Sequence, residues 1–382
     1  MKARLATAVA VAALAVCALA PAAGAAGFGS AVGAYRFADG SAVGLVEQAG
    51  ALRLVDYRSG ALRRLAQQSR NLFVGGPGVS VPEPVRVRVA LVAGTGGRTV
   101  ALRYGGRIAT KLPLVSEAAS YQSGDVRLAG RLLRPRGKGP FPAVVIVPGS
   151  VPATRDTYDL WAMFYAAQGF AVLTYDKRGV GASGGQYARA ATGDNLRRLA
   201  ADAIAGVDWL RRRPDVSPSR IGLSGGSQAG WVIELAASRS HAVRFAALQS
   251  GAAMSVGRQL AYSALTNQGA VAPTDEQIRA ALDGVPDSGF DPKPILAALQ
   301  IPVFWQLGSV DKRMYTPETV ADLAAIDSGH HVTVRVYLGG AHSLRLTEHG
   351  TIAEEQTSPG FASGVFSDLA AWLRTHVKVI AQ

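Results

Sequence analysis

Two hydrophobic rhythms divide the chain. Over 34–37, 42–47, 52–57, 85–92 and 99–104, apolar and polar residues alternate in short runs. Turn residues at Asp39-Gly40, Ser59-Gly60 and 94–97 separate them. A period of two with such breaks is the pattern of strands joined by hairpins. It predicts a small all-β accessory domain over 27–115. That stretch holds no His, no Cys and no paired acids for chemistry, so Tyr35, Phe37, Tyr57 and Phe73 read as core.

The pattern changes near 114–120. Residues 123–135 read as two antiparallel strands, and 143–147 is the unbroken apolar run of a strand buried on both faces. Helical periods at 161–168, 195–213 and 228–238 then alternate with apolar runs at 171–174, 221–223 and 245–249. The interval 252–298 mixes Gly, Pro and short amphipathic pieces, after which strand and helix resume at 302–307, 317–326, 332–338 and 361–377. Alternation of this kind predicts a mostly parallel sheet wrapped by helices. The expected architecture is therefore a doubly wound α/β catalytic domain over 116–382 with a small cap insertion at about 252–298.

Composition adds a compartment. A chain of 382 residues that is 48% hydrophobic and 18% charged can bury a large core in two domains. Lys2 and Arg4, an apolar run over 5–19, Pro21 and a small-residue string ending at Ala25-Ala26 make residues 1–26 a secretory signal peptide. The run is shorter than the roughly 20 residues of a spanning helix, so no transmembrane segment is expected after its removal. The single cysteine, Cys17, lies inside the signal, which leaves a mature chain without thiols or disulfides. Secretion, or retention in the periplasm or cell envelope, is the expected localisation.

The formal charge is +13, and residues 27–115 hold 12 Lys and Arg against 4 Asp and Glu, whereas 116–382 hold 26 against 23. A basic surface on an exported protein suits an anionic envelope polymer. Arginines that merely solvate outward strand faces are the plain alternative. Nothing points to nucleic acid: no zinc-finger spacing, helix-turn-helix cue or basic tract with interleaved aromatics is present.

The chemistry concentrates at Ile221-Gly222-Leu223-Ser224-Gly225-Gly226-Ser227-Gln228-Ala229-Gly230-Trp231, where an apolar strand runs through a glycine-flanked serine into a helix. A serine at such an apex is lifted out of the sheet, and small neighbours two residues either side let the chain turn back. The amide of Gln228 then sits at a helix N-terminus, where an oxyanion would form. A serine nucleophile needs a base, and the base an orienting acid, both just past strand C-termini. Asp311 follows the strand at 302–307 and His342 follows the strand at 332–338. The order Ser227, Asp311, His342 is that of a nucleophile-elbow hydrolase.

Competing bases fit less well. His241 ends a helix, His330 and His331 precede a strand, His376 lies in the last helix, and His349 sits in the loop beyond His342. Trp231, Trp305 and Met314 are expected at the substrate pocket. No metal site is apparent and the chemistry calls for no cofactor.

With these motifs in view, residues 116–382 resemble the α/β-hydrolase superfamily, and more closely its secreted serine esterases and prolyl-oligopeptidase-like or dienelactone-hydrolase-like members. The stretches that carry the resemblance are Val147-Pro148-Gly149-Ser150, Arg155-Asp156, Tyr175-Asp176-Lys177-Arg178-Gly179-Val180-Gly181-Ala182-Ser183, and those around Ser227, Asp311 and His342. The resemblance implies Ser227 as nucleophile, His342 as base and Asp311 as its orienting acid, acting on a small-molecule ester. Pro148 stands where the family usually has histidine, and Val151 where glycine is common. Because the oxyanion donors are backbone amides, the hole survives these departures, with Ser150 or Val151 joining Gln228. The Asp176 to Ser183 loop reads as a structural turn with Arg178 bonding nearby backbone. The same triad serves a serine exopeptidase, an amidase or an acyltransferase. A non-catalytic envelope-binding protein is the reading from another class.

Overall fold

The computed structural model describes residues 28–326 and 331–377. The signal-peptide assignment, with Cys17, and the residue His330 lie outside the described residues.

Strands β1 (Gly33–Phe37), β2 (Ala42–Gln48), β3 (Ala51–Asp56), β4 (Leu62–Ser69), β5 (Leu72–Gly75), β6 (Val87–Ala93), β7 (Thr99–Tyr104) and β8 (Arg107–Lys111) form a closed antiparallel barrel in sequential order. β8 pairs with β1 to close it. Closure removes free edges, and Tyr35, Phe37, Leu45, Leu54, Phe73 and Leu102 fill the interior. Tyr57 instead faces outward onto helices, with ring centroids 5.4 Å from Phe164 and 5.1 Å from Phe366.

The second sheet has the order β16-β15-β14-β13-β11-β12-β10-β9. Its members are β9 (Leu114–Ser123), β10 (Val126–Pro135), β11 (Phe141–Val147), β12 (Ala171–Tyr175), β13 (Val216–Gly226), β14 (Ala246–Gln249), β15 (Val303–Gly308) and β16 (Val332–Tyr337). β9, β10 and β12 are joined by antiparallel pairing, and the remaining pairs are parallel. The two strands expected within 123–135 are one strand, β10, whose partner β9 precedes it. Gly124 takes φ +61 in the turn between them.

Every residue of β11 and β12 is buried, because helices cover both faces. On one face lie α1 (Asp159–Ala167) and α9 (Val365–Val377), packed with Val144, Ile146, Val172 and Phe304. On the other lie α2 (Gly193–Arg211) and α3 (Ala229–Arg239), packed with Val145, Leu173 and Leu223. Between β14 and β15 the chain forms α4 (Val256–Leu265), α5 (Asp275–Leu282) and α6 (Lys293–Ala298); α7 (Thr316–Ile326) and α8 (Ile352–Thr357) complete it. No helix among the described residues is long and apolar enough to cross a membrane.

The barrel is docked rather than tethered. The Phe361 amide donates to the Gly60 carbonyl at 2.8 Å, and Val79 N to Ser358 O at 2.8 Å. A methyl at Gly60 would lie 2.7 Å from the Phe361 carbonyl oxygen, so the close approach requires glycine there.

Candidate active site

β13 ends at Gly226 and α3 begins at Ala229, which leaves Ser227 and Gln228 to make the whole turn. Ser227 sits at φ +59, a left-handed conformation that costs a non-glycine residue about 1–3 kcal/mol. The surroundings hold it there: Ser227 N donates to Gln249 O at 3.0 Å, and Gly230 N to Ser227 O at 2.9 Å. A methyl at Gly225 would stand 2.5 Å from the Val147 carbonyl oxygen and 2.7 Å from the Ala229 methyl. Only glycine lets β13, β11 and α3 meet so closely under a partly exposed serine.

Asp311 lies in the turn after β15 and His342 in the turn after β16, so both leave the same carboxyl edge of the sheet as Ser227. The His342 Nδ1 is 2.8 Å from Asp311 Oδ2 and 3.1 Å from Oδ1. Oδ1 also accepts the amides of Arg313 at 2.7 Å and Met314 at 2.9 Å. The Tyr262 hydroxyl, from α4, donates to the Asp311 carbonyl at 2.7 Å. The Asp311 side chain is fully buried and that of His342 is 10% exposed. The carboxylate is therefore fixed by two amides and fixes the imidazole in turn. Among the described residues, no hydrogen bond joins the Ser227 hydroxyl to the ring.

The loop after β11 closes over the serine, with a Cβ built on Gly149 only 3.8 Å from the Ser227 Cβ. The Gly149 amide donates to the Tyr158 hydroxyl at 3.0 Å, and the Tyr187 hydroxyl donates to the Ser150 carbonyl at 2.5 Å. The amides of Ser150, Val151 and Gln228 find no protein acceptor among the described residues. Lys177 lies beneath this loop, 1% exposed. Its Nζ donates to Gly149 O at 2.6 Å and Gln228 Oε1 at 3.2 Å. Burial pushes its pKa down to about 8, with the Asp202 charge opposing the shift.

Other residues fall elsewhere. Trp231, Trp305 and Met314, expected at a pocket, are 6%, 0% and 2% exposed members of the core. The Trp231 and Trp305 indole N–H groups donate to the carbonyls of Met254 and Gly251, at 3.2 and 2.8 Å. His349 is exposed and pairs with Glu354 at 2.9 Å, within the capping of α8. His376 stacks on Trp372. Arg178 was expected to bond backbone, but its main partner is the fully buried Asp202, reached by Nε at 2.7 Å and Nη2 at 2.5 Å. The Arg198 carbonyl is a secondary contact at 3.4 Å.

Comparison with known proteins agrees with this fold. Residues 123–282 match the family model of X-Pro dipeptidyl-peptidase (S15 family). The acylaminoacyl peptidase of Pyrococcus horikoshii superposes with a TM-score of 0.53 at 14% identity, over 89% of this chain and 57% of that one. The chain has the α/β-hydrolase fold. DcsB, solved with its substrate analogue, shares the fold at a TM-score of 0.50 and 18% identity, over 69% of this chain and 100% of DcsB. Esterase FrsA of Escherichia fergusonii is 34% identical over 89 residues, which span 23% of this chain and 21% of FrsA. The family match and the FrsA relative are hydrolases of peptidase and esterase type.

Lys177, Tyr158, Tyr187 and Tyr262 escaped the sequence reading as site residues. Lys177 alone carried a signal: a charged residue two positions beyond a wholly buried strand of a parallel sheet must be held by something nearby.

Proposed function

We propose that the chain is an exported serine hydrolase that cleaves carboxylic esters through an acyl-enzyme on Ser227. The observation that carries this reading is the Asp311–His342 bond at the same sheet edge as a serine held at φ +59. In the proposed cycle His342 Nε2 accepts the Ser227 proton as Oγ attacks the acyl carbon. The imidazolium then gives that proton to the departing alcohol, and water, activated by the same ring, releases the acid. The Gln228 amide, with that of Ser150 or Val151, receives the oxyanion. The hydroxyl–imidazole contact tightens when substrate fills the site. Helices α4 to α6 shape the acyl or alcohol pocket.

The S15 family match over 123–282 favours a second reading, peptide or other amide cleavage by the same triad. Ser227→Ala in a folded protein should abolish p-nitrophenyl acetate turnover and fluorophosphonate labelling. Unchanged turnover, or no labelling of the unaltered chain, would defeat the proposal. Greater turnover of aminoacyl-nitroanilides than of esters would favour the peptidase. We also carry forward an anionic envelope polymer as partner of the barrel, supported by Arg64, Arg70, Arg86, Arg88, Arg98 and Arg103, all exposed on it.

A further inference from the structure

We propose that Lys177 is a positioning residue for the oxyanion site: its ammonium ties the Gly149 loop to the Gln228 turn, so that amides from both converge on one oxygen. The inference rests on Ser227 being the nucleophile.

A buried ammonium is costly unless it is paired with an anion. Here no carboxylate forms an ion pair with Lys177 among the described residues. Asp202, whose charge reaches it, is engaged by Arg178 Nε and Nη2, and Asp176 is engaged by Arg155. Lys177 Nζ is instead held by dipoles, the Gly149 carbonyl at 2.6 Å and Gln228 Oε1 at 3.2 Å, and stands 5.4 Å from the centre of the Tyr187 ring. The two hydrogen-bonded residues belong to the two segments that offer unpartnered amides. Gln228 is clamped from its other end as well, its Nε2 donating to the Arg189 carbonyl at 2.8 Å.

This layout leaves a positive charge without an ion-pair partner, among the described residues, below the place where negative charge develops. Such a charge interacts more strongly with a tetrahedral oxyanion than with a neutral ester, which lowers the barrier rather than tightening substrate binding. The same ammonium stops the Gly149 loop from swinging away from Ser227.

The ammonium is lost as pH rises through about 8, where burial has brought its pKa. The charged and titratable groups around it are Asp202 with Arg178, Asp176 with Arg155, and the phenols of Tyr158 and Tyr187, both pushed upward by burial. Turnover should therefore fall on the alkaline side of about pH 8, and a guanidinium in place of the ammonium should remove that fall.

The test compares p-nitrophenyl acetate kinetics of the unaltered chain, Lys177→Met, Lys177→Arg and Ser227→Ala between pH 6 and 10. Lys177→Met should lower kcat at least about 10-fold, approaching the roughly 10²–10³-fold typical of losing an oxyanion donor. KM should stay within threefold. Lys177→Arg should recover part of kcat and keep it to pH 10. Lys177→Met kcat within threefold of the unaltered chain overturns the inference. If Lys177→Met does not fold, the pH profiles decide: the same alkaline fall in Lys177→Arg overturns it, and its absence supports it. Turnover surviving in Ser227→Ala would instead sink the nucleophile reading and this inference with it.

Discussion

Replacing Asp311 by asparagine isolates what the acid does for the base. Oδ1 of Asp311 accepts two amides, at 2.7 and 2.9 Å, while Oδ2 faces His342 Nδ1 at 2.8 Å. An asparagine in this cradle must turn its carbonyl oxygen to the amides and so present its NH₂ to Nδ1. A donor there forces Nδ1 to accept and moves the ring proton to Nε2, the atom that has to take the Ser227 proton. The same change in a serine protease lowers kcat about 10⁴-fold with the geometry intact, through the wrong tautomer. Four decades correspond to about 5.4 kcal/mol of barrier. We expect Asp311→Asn to fold, to bind substrate normally and to lose about 10⁴ in kcat, measured by steady-state ester hydrolysis. A folded variant within tenfold of the unaltered kcat would refute the assignment of Asp311 as orienting acid.

Three further outcomes follow from the geometry. Arg178→Met strands the fully buried Asp202 carboxylate and should cost about 3–5 kcal/mol in urea unfolding, most of it recovered by adding Asp202→Leu; a loss under about 1 kcal/mol would contradict this. Burial, with Asp291 adding to it, raises Glu234 well above 4.5, and neither of its carboxyl oxygens has a hydrogen-bond partner. A folded state that holds a proton more tightly than the unfolded chain loses stability as pH rises from about 4.5 toward the folded pKa. Glu234→Gln should therefore be more stable than the unaltered chain at pH 8 and not at pH 4, and equal unfolding midpoints at both would count against it. Retention of the full chain on dextran sulfate should fall with salt over the range where surface charges are screened. It should weaken when Arg64, Arg88 and Arg103 are changed to Glu, and salt-independent retention would remove the polymer proposal.

Sequence pattern located most strands of the second sheet, since a short unbroken apolar run such as β11 reads as a strand buried on both faces. It did less well in the barrel. β4 carries Arg63, Arg64, Gln67 and Gln68 among its eight residues, β5 has only four residues, and β8 reads Arg-Ile-Ala-Thr-Lys. Such strands are set by their neighbours' register rather than by their own alternation. The order of Ser227, Asp311 and His342 was legible because each follows a strand end. The supports were not: Tyr262 and Asp311 are 49 residues apart, and Lys177 and Gln228 are 51 apart. Trp231 and Trp305, expected at the substrate pocket, satisfy backbone carbonyls in the core with their indoles.

The seam between the barrel and the 358–362 segment fixes when the molecule is finished. Arg63 reaches the Pro359 carbonyl across 296 residues of sequence. At synthesis rates of roughly 5–20 residues per second, about 15–60 s separate the emergence of the two sides. During that interval the barrel can close on its own hairpins, but the Tyr57 face waits for Phe366 in the last helix. The Tyr57 face, met first by Phe164 of α1, thus stays partly uncovered until α9 is made. A chain shortened before α9 would leave that side of Tyr57 without Phe366.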